Sequence, residues 1–544
     1  MTSVNRFFFS ALGLFLLFTT EAKSNDDPKF ILIHLDAVSS EYFLQELEIG
    51  NLPNMHSFFG DQGRIDYTIT YFPSKTPTVI SSIREGDNPM ESTLPGWKWS
   101  NESRENVVGM VGSFLRMAFS KSRLSTSNLL YGLPVFSWMA GPALINTAYY
   151  LNDYNILQFY WYNVDTQGHF NGEEAYLEQL AIFDKQFGRL MRRLDDDVNV
   201  IIYSDHGMTF GDGIEIDPVI EDLLGDDLMV FSYPTLYINT PGRKSEYAKK
   251  LVEETEIDYT FFELQENIVQ GFHANGSVQF IKNYELGKIQ YTYDGTDIFG
   301  YSDLGYNGEF LSRNEWLSLT YTSKYPMAPV NIYYHLNNEI AGDIVTLFND
   351  QKYHQTGYSS AGNHGGFTDR DMTVPLLMKG PDVEQLYNKT YYWLPDLFVD
   401  IEGVDFDRRP PRDRHQFSSR YDFRNNRTVT QFSMSPKYRI QYGATAYSSD
   451  LSNFTDFDRV DVWGKADLFR SYLTRLWIGT GIEITDESVD PLLILQHDIH
   501  IRKFVLQNSF ATNRSFYFRL SYEATPWLAI ESVNFTSLGF RFDF

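Results

Sequence analysis

The stretch FILIHLD, residues 30–36, decides the fold class of this chain, because it joins a short apolar run to a single aspartate. A run of this length with little polar alternation is typical of a strand that is buried on both faces of a parallel sheet. Asp36 would then stand at the carboxyl end of that strand. The same pattern of an apolar run recurs in ILQFYWYN (residues 156–163), VNVIIY (198–203) and TVPLLM (373–378).

A helical period separates these runs and is clearest in residues 176–194. One face of that segment is apolar, formed by Leu177, Leu180, Ile182, Phe183, Phe187, Leu190, Met191 and Leu194. Strands that alternate with helices predict an α/β sheet with helices on both faces. Ligands of such sheets bind outside the carboxyl ends of the strands, so we expect the polar residues that follow the strands to form the functional site.

The N-terminal residues have the pattern of an export signal. Arg6 gives a positive charge, residues 7–18 (FFFSALGLFLLF) are apolar or small, and Ala22-Lys23-Ser24 resembles a cleavage site. The apolar run is shorter than a transmembrane helix normally requires. We interpret residues 1–24 as a signal peptide, with an uncleaved membrane anchor as the alternative.

Charge and cysteine content exclude several classes of protein. The formal net charge of −26 leaves no basic footprint for a phosphate backbone, so binding of a nucleic-acid duplex is not expected. The absence of cysteine excludes disulfides, thiolate zinc sites and cysteine nucleophiles.

Residues of metal-binding type follow two of the predicted strands. Asp205 and His206 stand in tandem before Gly207, which lets the backbone turn without a side chain in the way. Asp165 is followed four residues later by His169. Aspartate and histidine can bind the same cation, but each motif alone is more often a turn or a helix cap.

Two further motifs complete the set. His364 lies in SAGNHGGF, residues 360–367, where glycines allow the backbone to approach a ligand closely. Thr76 lies beside Lys75 in YFPSKTPT, residues 71–78. A threonine hydroxyl is a poor nucleophile unless a metal or a base lowers its pKa. Lys75 is either a substrate-binding cation or a surface residue.

Together these motifs, in the order Asp, Thr, Asp-x-x-x-His, Asp-His-Gly and His-Gly, resemble the alkaline phosphatase superfamily. The likeness is to its nucleotide pyrophosphatase/phosphodiesterase branch and extends over about residues 29–400. The resemblance implies two divalent cations, with zinc preferred and manganese as the alternative. One ion would be held by Asp165, His169 and His364. The other would be held by Asp36, Asp205, His206 and the oxygen of Thr76, the implied nucleophile.

The chain departs from that branch in two places. Pro77-Thr78-Val79-Ile80 stands where members often have Phe-Pro-Asn-His. For the asparagine that binds a phosphoryl oxygen in that branch, Asn101 is the candidate here. No Cys/Ser-x-Pro-x-Arg motif is present, which argues against a sulfatase.

On this basis residues 25–405 are predicted to form a metal-dependent phosphohydrolase domain. Residues 255–355, which are aromatic and rich in glycine and asparagine, would be an insertion or cap over the sheet. Residues 406–436, which include the run RRPPRDR, are predicted to be a linker.

The remaining residues, 437–544, alternate apolar and polar side chains, and about seven or eight strands fit into them. An alternating last strand that ends on Phe544 resembles bacterial outer-membrane barrels, and we expect a barrel of about eight strands. Its outward residues would be Leu538, Phe540, Phe542 and Phe544, and its inward residues Gly539, Arg541 and Asp543. The alternative is a soluble antiparallel β domain.

The expected function is hydrolysis of phosphodiester or pyrophosphate bonds through a covalent threonine intermediate. The substrate would be a phosphodiester-containing small molecule or lipid, and outer-membrane lipid would surround the barrel. The expected location is the outer membrane, with the periplasm as the alternative. Two other functions stay open, namely transfer of phosphoethanolamine to envelope glycans or lipids and a catalytically silent binding module.

Overall fold

The computed structural model describes residues 28–83, 94–101, 103–119, 136–151, 154–401, 403–404, 406, 414–437, 439–449, 457–512, 514–525 and 527–543. The predicted signal peptide lies outside these residues. The chain divides into two compact units. The first, here the α/β unit, is Phe30–Ser137 with Gln158–Asp407, and the second, here the barrel unit, is Met1–Lys29 with Trp138–Leu157 and Arg408–Phe544.

The strands up to residue 393, in chain order, are β1 (Lys29–Leu35), β2 (Arg64–Ile69), β3 (Trp99–Ser100), β4 (Val107–Val108), β5 (Ile156–Trp161), β6 (Val198–Tyr203), β7 (Asp212–Ile214), β8 (Leu228–Ser232), β9 (Thr235–Ile238), β10 (Tyr259–Gln265), β11 (Ile268–His273), β12 (Gly276–Asn283), β13 (Lys288–Gly295), β14 (Ile344–Leu347), β15 (Lys352–His354), β16 (Thr373–Lys379) and β17 (Tyr391–Trp393). The later strands are β18 (Arg414–Asp422), β19 (Arg427–Lys437), β20 (Ile440–Ser448), β21 (Arg459–Arg470), β22 (Thr474–Thr485), β23 (Val489–Ile501), β24 (Phe504–Ala511), β25 (Arg514–Thr525), β26 (Leu528–Val533) and β27 (Ser537–Asp543).

The helices are α1 (Ser40–Glu48), α2 (Pro53–Phe59), α3 (Thr76–Ser82), α4 (Met110–Phe119), α5 (Ala140–Tyr150), α6 (Asn163–Asn171), α7 (Glu173–Met191), α8 (Asp217–Leu224), α9 (Lys244–Glu254), α10 (Arg313–Thr320), α11 (Ala328–Leu336) and α12 (Asp369–Met372). Among the described residues, none of these helices is both long and apolar enough to cross a membrane.

The α/β unit is built on a six-stranded sheet in the order β17-β2-β16-β6-β1-β5. Every residue of β6 is buried, as are six of the seven residues of β1. Because side chains of a strand alternate between the two faces, both faces of the sheet are covered. This confirms the predicted α/β core. Helix α7 matches the predicted segment 176–194 and buries Leu180, Phe183, Phe187 and Leu190 completely.

Strand β16 differs from the expected pattern, because it runs antiparallel to both of its neighbours, β2 and β6. Leu376 at its centre pairs with Tyr203 at the end of β6, and Lys379 at its end pairs with Val200. The start of β16 therefore lies at the edge where β6 ends. This reversal explains how a histidine that precedes β16 reaches the same edge as the aspartates that follow β1 and β6.

Residues 255–355, expected as an insertion or cap, contain most of a second sheet. Its seven strands lie in the order β13-β12-β11-β10-β14-β9-β8, and their described pairings are antiparallel. The sheet shares a large hydrophobic core with α10 and α11, in which Phe261, Phe280, Trp316 and Ile332 are buried.

The barrel unit contains a closed barrel of ten antiparallel strands, β18 to β27 in sequence order. Eight of them, β20 to β27, fall within residues 437–544, as the alternation predicted. The expected eight-stranded barrel is nevertheless wrong, because β27 closes the ring on β18 rather than on β20. The predicted linker 406–436 therefore has to be corrected: residues 414–437 form the hairpin β18–β19, and residues 407–413 lie outside the described part.

The last strand alternates as predicted. Leu538, Phe540 and Phe542 are exposed on the outer side, whereas Gly539 is buried and Arg541 is largely covered. Phe544 lies outside the described residues. Other large apolar residues exposed on barrel strands include Leu493, Leu495, Phe504, Phe510, Phe516 and Ile530.

One helix from the middle of the chain belongs to the barrel unit, which the predicted boundaries did not anticipate. The Asn146 amide of α5 donates hydrogen bonds to the carbonyl oxygens of Tyr472 and His500, at 3.0 and 2.8 Å. Its oxygen accepts one from the Arg502 backbone at 3.0 Å. Asn146 thus joins the β21–β22 turn to the region of the β23–β24 turn.

Ion pairs inside the barrel predict a stability effect. Glu531 is 1% exposed and lies 3.1 Å from Arg541 and 3.6 Å from Arg519. Arg541→Leu removes one of these partners from a buried carboxylate, so it should destabilise the barrel by roughly 3 kcal/mol. Thermal unfolding of the full chain in detergent, followed by circular dichroism, measures this. Arg424→Leu, in the exposed β18–β19 turn, is the control, and equal unfolding temperatures for the two variants would contradict the prediction.

Candidate metal centre

The predicted site residues come from five separate elements of the α/β unit. Asp36 follows β1, and Asp205 and His206 follow β6. Asp165 and His169 lie one turn apart on α6, which follows β5, and Thr76 is the first residue of α3. His364 lies in the loop before α12 and β16. All seven side chains are buried.

The structure brings these side chains into one cluster around His206 and Asp165. The His206 Nε2 atom lies 3.2 Å from Thr76 Oγ1, 3.3 Å from Asp205 Oδ2 and 3.5 Å from Asp36 Oδ1. Asp165 Oδ1 lies 3.2 Å from His169 Nε2 and 3.5 Å from His364 Nε2. The rings of His206 and His364 stack with centroids 3.6 Å apart, which joins the two halves of the cluster.

Hydrogen bonds to the backbone fix the tautomer of each histidine. The Nδ1 atoms of His169, His206 and His364 lie 3.0, 2.9 and 2.7 Å from the carbonyl oxygens of Gly362, Gly207 and Ser74. A carbonyl oxygen can only accept, so each Nδ1 carries the proton and each neutral ring keeps its Nε2 lone pair. Burial lowers the pKa of His206 and lowers that of His364 well below its ordinary value, which favours the neutral rings. This is the arrangement of histidines that bind metals.

The carboxylates show that the cluster fits a cation. Asp36 Oδ1, Asp165 Oδ1 and Asp205 Oδ2 are buried and accept no hydrogen bond from the described residues. Burial, with the charges of Asp205 and Asp165, raises the pKa of Asp36 well above its usual range. Burial also acts to raise the pKa of Asp205, but His206 and His34 outweigh it and the pKa falls. Divalent cations would satisfy these oxygens and offset the repulsion between the charges.

Two groups of possible ligand atoms stand out in the described part of the chain. One is Asp165, His206 and His364, and the other is His34, Asp36 and Asp205, each with its atoms within 4.8 Å of one another. His206 thus lies close to both halves, whereas the sequence resemblance put it in one ion site, with Asp36, Asp205 and Thr76. Its distances to Asp36 and Asp205 remain compatible with that assignment.

Lys75 lies beside the cluster. It is buried, and a Cβ on Gly365 would stand 2.3 Å from its Cε atom, so the lysine passes directly over that glycine. Gly365 has φ +106°, a conformation that other residues rarely adopt. Burial lowers the pKa of Lys75 to about 8, against the opposite effect of Asp371 and Asp165.

Asn101 lies in the turn between β3 and β4. Its amide nitrogen donates to Ser103 Oγ at 2.7 Å, and its amide oxygen accepts from the Asn106 backbone at 2.9 Å. The amide oxygen and one N–H of the amide are thus used within the turn. Its role in binding a phosphoryl group stays a prediction.

Sequence reasoning missed His34. The residue is fully buried, and its Nε2 atom lies 3.0 Å from Asp205 Oδ1. A signal was present, because residues two apart on a strand point to the same face and His34 precedes Asp36 by two. Tyr160 was missed as well, although its hydroxyl donates a hydrogen bond to Asp36 Oδ2.

Residues 96–366 match the family model of type I phosphodiesterase / nucleotide pyrophosphatase. The matched segment contains Asp165, His169, Asp205, His206 and His364, and begins after Asp36 and Thr76. A comparison with curated proteins finds no match.

Several solved structures are similar to the chain. Human ectonucleotide pyrophosphatase / phosphodiesterase 5 shares 15% identity, with 68% of this chain and 93% of that chain covered and a TM-score of 0.44. An inactive form of its murine counterpart in complex with AMP shares 14%, with 69% and 93% covered and a TM-score of 0.43. A mutant of the alkaline phosphatase PafA shares 11%, with 69% and 95% covered and a TM-score of 0.44.

Gly207 yields a prediction about the backbone that carries His206. A Cβ at this position would stand 1.8 Å from the Arg370 carbonyl oxygen and 3.0 Å from Ser39 Cβ. Gly207→Ala should therefore displace the Asp205-His206 segment, lower the melting temperature and weaken zinc binding. Gly242→Ala, where a Cβ meets no described atom within 4 Å, is the control. Wild-type melting temperature and zinc affinity in Gly207→Ala would show that the close packing does not hold the segment.

Proposed function

Because residues 96–366 belong to the type I phosphodiesterase / nucleotide pyrophosphatase family, we propose that this chain is a metal-dependent hydrolase of phosphoester bonds with Thr76 as its nucleophile. The observation that carries the proposal is the 3.2 Å contact between Thr76 Oγ1 and His206 Nε2. Thr76 is the candidate nucleophile among the motif residues, and this contact brings its hydroxyl next to the clustered aspartates and histidines. Thr76 itself precedes the matched segment.

Two divalent cations would be held by the residues that the sequence resemblance implies. Asp165, His169 and His364 would bind one, and Asp36, Asp205, His206 and Thr76 Oγ1 the other. Imidazole nitrogens mixed with carboxylate oxygens suit zinc, with manganese as the alternative. When bound, the cations supply charge neutralisation for the phosphoryl group and lower the pKa of a hydroxyl or a water.

The chain's own residues account for the course of the reaction. Thr76 Oγ1 attacks phosphorus while the bond to the leaving oxygen breaks, which gives a phosphothreonine, and the hydroxyl proton passes through solvent to the leaving oxygen, which departs as an alcohol or a phosphate. Water then attacks the same phosphorus, releases phosphate or a phosphomonoester and restores the hydroxyl. Thr76 is only 5% exposed at the start of α3, so its hydroxyl is held in one place for both steps. Lys75, directly before it, contributes positive charge near an anionic substrate.

The substrate class is a phosphodiester-containing small molecule or lipid. A sugar hydroxyl could intercept the same phosphothreonine in place of water, which would make the protein a phosphoethanolamine-type transferase. Product analysis with and without a glycan acceptor separates the two functions, because only transfer yields a phosphorylated glycan.

The barrel supports a proposal about location. Its outward apolar residues would face lipid, and its inward charged residues are paired with one another, as for Arg541 and Glu531. We propose that the protein is exported and that the barrel lies in an outer membrane, with the periplasm as the alternative. Outer-membrane lipid is then the partner of the barrel surface.

The nucleophile is tested with Thr76→Ala. Loss of the hydroxyl should lower the turnover of bis-p-nitrophenyl phosphate in the presence of zinc by about a thousandfold or more, because the covalent step is lost. Thr78→Ala is a matched control, since Thr78 is a second buried threonine of the same helix. Near wild-type turnover in Thr76→Ala would refute this mechanism.

The location is tested by fractionation. The chain should sediment with outer membranes and resist extraction by salt and carbonate. Phe540→Asp puts a charge on the lipid side and should reduce membrane assembly, whereas Phe423→Asp, in the exposed β18–β19 turn, should not. Wild-type protein that stays soluble in the periplasm without detergent would exclude the membrane barrel and leave the enzyme proposal intact.

A further inference from the structure

Three stacked rings form a layer next to the candidate ligands, at positions that come earlier along the strands. His34 of β1 stacks on Tyr160 of β5, with centroids 4.5 Å apart, and on Tyr203 of β6, at 5.2 Å. All three rings are buried. His34 precedes Asp36 by two residues and Tyr203 precedes Asp205 by two, so the layer and the two carboxylates share one side of the sheet.

In each of the two carboxylates, Asp36 and Asp205, one oxygen contacts a residue of this layer and the other does not. The Tyr160 hydroxyl donates to Asp36 Oδ2. His34 Nε2 lies 3.0 Å from Asp205 Oδ1, which also accepts from the Ala37 backbone at 3.4 Å. The opposite oxygens, Asp36 Oδ1 and Asp205 Oδ2, have no hydrogen-bond donor among the described residues.

Interatomic distances distinguish the carboxylate oxygens that could bind an ion from those that contact the ring layer. Two ligand atoms of one tetrahedral zinc, at bond lengths of about 2.0–2.1 Å, stand about 3.3 Å apart. The free oxygens of Asp36 and Asp205 lie 3.5 and 3.3 Å from His206 Nε2, as ligands of one ion would. The 3.0 Å between His34 Nε2 and Asp205 Oδ1 is shorter than this spacing and is a close ion-pair contact, although its angle is not that of a hydrogen bond.

We infer that His34 and Tyr160 are positioning residues of the second cation site, where each holds one oxygen of a ligand carboxylate and leaves the other for the ion. This inference rests on the proposed function, since it assumes that Asp36 and Asp205 are metal ligands. Partners of this kind keep a ligand in its binding orientation, and their removal typically weakens metal affinity about 10- to 100-fold.

The protonation of Tyr160 agrees with its role as a donor. A tyrosine hydroxyl carries its proton at neutral pH, so it can donate to Asp36 Oδ2. The other explanation of the layer is that its rings only fill the core. In that case the hydroxyl of Tyr160 would not influence metal binding.

The experiment compares Tyr160→Phe with Tyr203→Phe. Both variants keep a ring in the layer. The first removes the hydroxyl that donates to Asp36, whereas the second removes a hydroxyl that accepts from the Gln158 amide at 3.3 Å. Zinc affinity is measured on the full chain by competition with a chelator, and zinc content by elemental analysis. We expect Tyr160→Phe to bind one of two zinc ions about 10- to 100-fold more weakly, still with two per chain at saturation, and Tyr203→Phe to bind as the wild type does.

His34 is tested with His34→Gln, which keeps an N–H donor, and His34→Leu, which does not. We expect the leucine variant to lose affinity for one ion and the glutamine variant to recover part of it. Wild-type affinity in both Tyr160→Phe and His34→Leu would overturn the inference. Loss of one zinc from His34→Leu even at saturation would also overturn it, because His34 would then be a ligand. Wild-type protein without any transition metal would refute the proposed function itself, a result distinct from both.

Discussion

The burial of three carboxylates at one point is the constraint on which the rest of the α/β unit depends. Asp36, Asp165 and Asp205 lie in the same cluster, and three of their oxygens accept no hydrogen bond from the described residues. Like charges out of contact with water repel strongly and lose their hydration, so such a cluster needs compensating charge or the protonation of a carboxyl such as Asp36, whose pKa is raised. Three histidines whose Nδ1 atoms face carbonyl oxygens turn their Nε2 atoms toward these carboxylates, so divalent cations are the compensation that this donor set fits best.

The architecture brings these groups together at one edge of the sheet. Strands β1 and β6 deliver Asp36 and Asp205 at their carboxyl ends, and the reversed direction of β16 brings the preceding His364 loop to the same edge. Close packing then fixes the backbone, as at Gly207, where a Cβ would collide with the Arg370 carbonyl. A six-stranded sheet buried on both faces is rigid enough to hold a catalytic geometry, which loops alone would not do.

The barrel unit differs from the α/β unit, because its apolar side chains point outward and its charged side chains point inward. Inside, arginines and glutamates such as Arg541 and Glu531 pair with one another. A barrel that fills its interior with such pairs has no need of a second sheet to cover its inner face. The outward apolar side chains need an apolar surrounding of their own, which is why lipid is the environment that we propose for them.

The sequence by itself determined the fold class, the alternation of the last strand and the identity of the motif residues from Asp36 to His364. These are properties of local pattern, since an apolar run followed by a polar residue, or alternation with period two, is legible without knowledge of the neighbours. Only the tertiary structure decided the closure of the barrel on β18, the reversed β16, and the contacts of His34 and Tyr160 with the carboxylates. The partner of a strand and the side chains that contact a carboxylate depend on which distant segments of the chain meet. A single sequence carries no local signal of these long-range contacts. The contact of His34 could not be predicted from the sequence, because a histidine inside an apolar strand gives no indication that Asp205 will lie 3.0 Å away.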